Sequence, residues 1–199
     1  VPDRLSVAIS QAYRHRARVG VVHVDVDGFT ALNARVGRAV ADRVLRGVGR
    51  RLAHCVRQGD TAARLEADAF ALVLPGLHHG EDATRIAEKV LRALRKPFPL
   101  ADGTIPLTAS VGVAIFPEDG EDAPALLASA EQSAHAALEK GGDRLESSVP
   151  PGLDDGYADV ARAWLFGPFD TRAGARCTDA HLVRNRGVDV VVLHEQRGP

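Results

Sequence analysis

The chain has 199 residues, of which 45% are hydrophobic and 26% charged, so it can bury a proper core with a small annex and is not a disordered segment. With 25 basic and 26 acidic residues its formal net charge is −1, and no global field draws it to a nucleic-acid polymer or an anionic membrane. Cys55 and Cys177 make neither a C-x-x-C motif nor a disulfide framework, the histidines are scattered, and no apolar run reaches the length of a membrane span, so the reading is a cytoplasmic chain without zinc or membrane insertion. Val1 to Ser10 is no signal peptide, because Asp3 and Arg4 interrupt it, and an opening on Val1 reads as a piece of something longer with unknown flanking domains.

Leu5, Ala8, Ile9 and Ala12 recur at helical spacing, so Val1 to Arg18 reads as a helix, with Arg14, Arg16 and Arg18 near its end where cations suit the dipole. Val21 to Asp27 alternates valines with polar residues and reads as a strand; Gly28 breaks the pattern, and Thr30, Asn33 and Val36 then fall at helical spacing. Asp25 and Asp27 therefore stand at a strand end beside a helix start, whose unpaired amides at Gly28, Phe29 and Thr30 attract phosphate. Acids that hold Mg²⁺ beside amides that hold phosphate point to a nucleoside triphosphate site; the plainer alternative makes Asp27 a helix cap and Asp25 a solvated residue.

Ala39 to Val56 forms a longer helix with Val40, Val44, Leu45, Val48, Leu52 and Val56 inward, and Arg43, Arg46, Arg50 and Arg57 on the opposite face. After Gln58-Gly59-Asp60, the runs Thr61 to Leu65 and Phe70 to Leu74 read as a hairpin closed by Glu66-Ala67-Asp68-Ala69. Pro75 to Gly80 reads as a loop, Glu81 to Arg95 as a helix, and Ile105 to Ile115 as one alternating strand. Pro117 to Gly120 turns that strand into a last amphipathic helix, Ala123 to Lys140, capped by Gly141-Gly142.

Helices interspersed with an antiparallel hairpin favour a ferredoxin-like α/β sandwich, a central, mostly antiparallel sheet packed by helices, over a doubly wound parallel sheet. The expected division is residues 1–146 as the main domain and 147–199 as a C-terminal extension of unknown role. In that extension, Tyr157 to Leu165 reads as a helix, Gly167-Pro168 as a turn and Val188 to Leu193 as a strand.

Four stretches carry a family resemblance in order: Asp25-Val26-Asp27-Gly28-Phe29, then Asn33 with Gly37 and Asp42, then Ala62-Arg64-Leu65, then Thr108-Ala109-Ser110-Val111-Gly112-Val113-Ala114. From about Asp3 to about Arg144 the chain resembles the GGDEF domain of bacterial diguanylate cyclases, a nucleotidyl cyclase-like fold. That family joins two GTP molecules into cyclic di-GMP, one GTP per subunit of a transient pair. The resemblance implies Asp25 and Asp68 as metal residues, with the Val26 carbonyl as a further ligand, and Asn33 and Asp42 as readers of the guanine edge.

The signature Gly-Gly-(Asp/Glu)-Glu-Phe stands here as Glu66, Ala67, Asp68, Ala69 and Phe70, so only its third and fifth positions survive. Glu66 and Ala67 add side chains where the backbone should approach a nucleotide, and Ala69 removes a carboxylate. Thr30, Leu138 and Gly142 occupy positions where the family carries phosphate-clamping cations. Phosphoryl transfer rests on position and charge neutralisation, so these losses imply a degenerate, non-catalytic domain in which two carboxylates hold Mg²⁺, and with it GTP, only weakly.

One family motif is intact. Arg57-Gln58-Gly59-Asp60 matches the R-x-x-D inhibitory site, five residues ahead of the signature, and Lys89 falls where many members use an arginine to bind the same ligand from a second subunit. The resemblance thus implies a regulatory or receptor module that binds cyclic di-GMP through Arg57, Asp60 and Lys89, with a homodimer as partner form. The alternatives are a residual diguanylate cyclase and a protein-interaction scaffold with an empty pseudo-active site.

Overall fold

Proline at the first helical position starts α1 (Pro2–His15), and Arg16 in the left-handed region ends it. The computed structural model describes residues 1–100, 103–147, 177–185 and 188–195. In chain order there follow β1 (Arg18–Val26), α2 (Phe29–Val36), α3 (Arg38–Cys55), β2 (Thr61–Arg64), β3 (Ala69–Leu77) and α4 (Glu81–Leu94). Then come β4 (Phe98–Leu100), β5 (Gly103–Ile105), β6 (Ala109–Phe116), α5 (Ala123–Glu139) and β7 (Arg144–Ser147).

β1 lies at the centre of a five-stranded sheet of order β2-β3-β1-β6-β7, antiparallel except for the parallel β6–β7 pair. Its valines divide between two cores, one on each face of the sheet. Val22, Val24 and Val26 join a cluster with Leu52 of α3 and Leu91 of α4, whereas Val19 and Val21 join one with Leu5 of α1 and Leu126 of α5. Complete burial of one such leucine contributes about 1.5–3 kcal/mol. The expected sandwich of helices on a mostly antiparallel sheet is the fold observed.

α5 approaches the sheet closely because β6 offers Gly112 beneath it; a Cβ there would lie 1.9 Å from the Ala130 carbonyl oxygen. Asp122 caps α5 by accepting the Ala125 N–H at 2.8 Å, and Gly141 and Gly142 close its other end with N–H bonds to the Leu138 and Ala137 carbonyls.

Several boundaries differ from the sequence reading. The strand expected over Ile105 to Ile115 is two: β5 ends at Ile105, Pro106 has no N–H to give a ladder, and β6 begins at Ala109. Burial alternates only up to Ala109, with Ile105 and Leu107 buried and Pro106 and Thr108 exposed; from there both faces of β6 are buried. The expected loop from Pro75 begins later, because β3 runs to Leu77, which pairs with Arg18. Arg18 itself belongs to β1, not to the first helix, and its buried guanidinium meets Glu118 at 2.8 Å. β4, β5 and β7 are too short to have announced themselves by period.

The chain separates into two compact units, Val1–Asp154 and Asp155–Pro199. The second contains an antiparallel hairpin of β8 (Cys177–Asn185) and β9 (Val188–Glu195), and β9 contains the strand expected over Val188 to Leu193. The helix expected over Tyr157 to Leu165 and the turn at Gly167-Pro168 lie outside the described residues.

Candidate functional site

The D-x-D pair at the end of β1 divides its labour. Asp27 is tied into the scaffold: its Oδ1 accepts the Ser110 hydroxyl at 2.7 Å and its Oδ2 accepts the Asp143 N–H at 3.0 Å. Asp27 is not the helix cap, a place taken by Gly28 at φ 64°. Asp25, half-buried and opposite Ala69 of β3 and Ser110 of β6, is the acid left for a ligand. Burial raises its carboxyl above the ordinary range, and the negative charges of Asp68 and Asp27 raise it further.

Asp68 is thus near enough to Asp25 for the two charges to oppose one another. Neither forms an ion pair among the described residues. Among those residues no third His, Cys, Asp or Glu completes a metal cluster. Two crowded carboxylates without a counter-cation fit a hard divalent ion, though fewer protein donors than a dedicated cage supplies.

The β2–β3 turn keeps a glycine-like shape without glycine. Ala67 sits at φ 27°, and Arg64 secures it by donating to the Ala67 carbonyl, with Nε at 2.7 Å. The Ala69 N–H closes the turn on the Glu66 carbonyl at 2.7 Å. Of the three lost cation positions, Thr30 is exposed at the start of α2 and Leu138 is exposed on α5. Gly142 is different: at φ 68° its added Cβ would lie 2.9 Å from Asp27 Oδ2, so a side chain there is strained and must displace the Asp27 carboxylate.

Asn33 and Asp42 are both exposed, one on each side of Gly37, whose φ of 80° turns α2 into α3. No hydrogen bond joins them among the described residues. One turn after Asp42, Leu45 and Arg46 line a cavity of about 190 Å³ with Ala62, Arg64 and Phe70 of the hairpin.

A larger cavity, about 360 Å³, brings together Arg57, Asp60 and Lys89 of the same chain, with Cys55, His78 and Ile86 in its lining. Its charges are already engaged. Arg57 Nε meets Asp60 Oδ1 at 3.3 Å and Nη2 donates to the Pro75 carbonyl at 3.0 Å, while the Arg57 N–H donates to Asp60 Oδ2 at 3.0 Å. The Arg57 side chain is 63% exposed but that of Asp60 only 1%, so the arginine can turn outward and the aspartate cannot. Lys89 Nζ donates to the Cys55 carbonyl at 2.9 Å, at the end of α3. Burial raises the Cys55 thiol pKa, and Lys89 partly opposes this.

Sequence spacing did not reveal the counterpart of that lysine. Arg51 of α3 donates to the Ala93, Leu94, Lys96 and Pro97 carbonyls at the end of α4, and its guanidinium lies 3.5 Å from the Phe98 ring centroid. Each helix therefore lends a cation to the other's C-terminus. His23 was also missed: it is buried on β1, and burial lowers its pKa, opposed by Glu131.

A family profile described as "Diguanylate cyclase, GGDEF domain" matches residues 1–144. The chain is 36% identical over 135 residues to the diguanylate cyclase TpbB of Pseudomonas aeruginosa, covering 67% of this chain and 31% of that protein. It is 34% identical over 139 residues to MucR of the same organism, a bifunctional diguanylate cyclase/cyclic di-GMP phosphodiesterase, covering 70% of this chain and 20% of that one. The crystal structure of the TpbB GGDEF domain superimposes with a TM-score of 0.72 at 33% identity, covering 75% of this chain and 93% of that domain. The chain thus spans about a third or less of the length of these two curated relatives.

Proposed function

The chain belongs to the GGDEF family of diguanylate cyclase domains, and from that membership we propose that it is a non-catalytic receptor or regulatory module of cyclic di-GMP signalling. The observation that carries this reading is the 360 Å³ cavity in which Arg57, Asp60 and Lys89 converge. Arg57 offers a planar fork for a guanine edge or a phosphate, Asp60 accepts from guanine N–H groups, and Lys89 supplies a second cation toward phosphate. To bind, Arg57 leaves the Pro75 carbonyl for the ligand while the buried Asp60 stays as the fixed acceptor.

Titration calorimetry with cyclic di-GMP tests this. Wild type should bind, and Arg57→Ala should lose about ten- to a hundred-fold in affinity, the worth of a charge-assisted hydrogen-bonding group. A wild-type chain that gives no heat at high micromolar ligand is not a receptor.

The juxtaposed Asp25 and Asp68 favour a second reading, a residual cyclase. In it they hold Mg²⁺, which supplies charge neutralisation for a GTP phosphate, while Asn33 and Asp42 orient the guanine. A dimer would then provide the second GTP. Incubation with GTP and Mg²⁺ or Mn²⁺ separates the readings: the receptor reading expects no cyclic di-GMP, and product that vanishes in Asp68→Ala makes the chain an enzyme.

A further inference from the structure

The two long helices on one face of the sheet handle their arginines in opposite ways. On α4, Arg85 pairs with Glu81 and Asp82 at 3.3 Å each, and Arg92 pairs with Glu88 at 3.4 Å. On α3, Arg38, Arg43, Arg46 and Arg50 are exposed, and none of their guanidinium groups has an ion pair or hydrogen bond among the described residues. From Phe29 to Arg57 seven arginines stand against a single acid, Asp42, although the whole chain carries a net charge of −1. A solvated helix face ordinarily intersperses both signs, as α4 does.

We propose that the exposed face of α3 is an electrostatic docking surface for anionic lipid headgroups, on which the domain adsorbs without inserting. Arg43, Arg46 and Arg50 recur at i, i+3 and i+7 and so form one stripe about 10 Å long. From Arg38 to Arg50 the only exposed apolar residue is Ala39, and Ala53 is the next one beyond. The large exposed hydrophobic residues among those described, Val7, Tyr13 and Leu138, are all on other helices. A protein interface needs an apolar or aromatic centre, and a single-stranded nucleic acid needs aromatic platforms; this face has neither. A convex row of guanidinium groups suits a flat array of phosphates and carboxylates, with a low-affinity, salt-sensitive contact.

The test is sedimentation of the 199-residue chain with vesicles of phosphatidylcholine, with and without phosphatidylserine. The chain should pellet only with the serine lipid at low ionic strength, and be released at about 1 M salt, where the screening length falls to about 3 Å. The paired change R43Q/R50Q should weaken partitioning about 25-fold, at roughly fivefold per arginine. Arg46 is left in place because it also lines the cavity beside the hairpin. R85Q/R92Q on α4 should leave partitioning unchanged, and circular dichroism verifies that both variants fold. The proposal is overturned by an absence of serine-dependent pelleting at low salt, by equal losses in the two paired variants, or by duplex DNA that binds more tightly than the vesicles and displaces them.

Discussion

The acid pair at the hairpin and the R-x-x-D cavity differ in how their charges are met. Asp25 and Asp68 repel one another with no cation paired to either among the described residues, whereas Arg57, Asp60 and Lys89 are each bonded within the protein. The hairpin has lost most of its family residues yet is electrostatically unfinished, so it gains by taking up a cation. The cavity retains its family residues yet is satisfied, so a ligand there must outcompete internal bonds. Motif retention and readiness to bind are therefore separate properties, the first legible in letters and the second only in geometry.

Four measurements break or sharpen this contrast. The largest effect is expected for Arg51→Ala, which strips the carbonyls at the end of α4 of their donor and removes the stack on Phe98. Thermal or urea unfolding should show a loss of about 2–3 kcal/mol. Cyclic di-GMP affinity should fall with it, while Mg²⁺ binding at the hairpin should not change.

Gly142→Arg puts back a family cation but should restore no turnover. At φ 68° and against Asp27 it should cost about 1–3 kcal/mol instead. Cyclase activity in this variant would mean that the hairpin lacks only charge.

Asp25→Asn should remove any Mg²⁺-dependent rise in Tm. Because the folded carboxyl sits above its ordinary value of 3.8, Asp25 favours the fold while protonated and loses that contribution as pH rises through its raised folded value. The metal-free variant should therefore be more stable than wild type at neutral pH; a less stable one would show that the acid pair is not in conflict.

His23 should give the smallest effect. Its folded pKa is depressed by burial, so stability is complete above the ordinary value of 6.5 and declines as pH falls through 6.5 toward the lower folded value. His23→Leu should flatten that acid limb in pH-dependent melts.

The sandwich was legible because its helices and β1 carry strong periods, and the ordered motifs from Asp25 to Ala114 located the hairpin and the cavity. Gly112 could be read as a family position, but its reason, the contact with Ala130, exists only across elements. Arg18 was misplaced because an arginine beside Arg14 and Arg16 looks like a helix end; its partner Glu118 is a hundred residues away. Arg51 resembles any other arginine of a basic helix until the carbonyls of a second helix are seen to surround it. The division of roles between Asp25 and Asp27 also depends on Ser110 and Asp143, which sequence proximity does not connect.

A guest that pulls the ammonium of Lys89 out of reach leaves the Cys55 carbonyl bare. The rod so unstoppered is α3, and Asp42 rides on it 13 residues away, about 20 Å along the axis. That one helix lines both cavities, with Cys55 in the larger and Leu45 and Arg46 in the smaller.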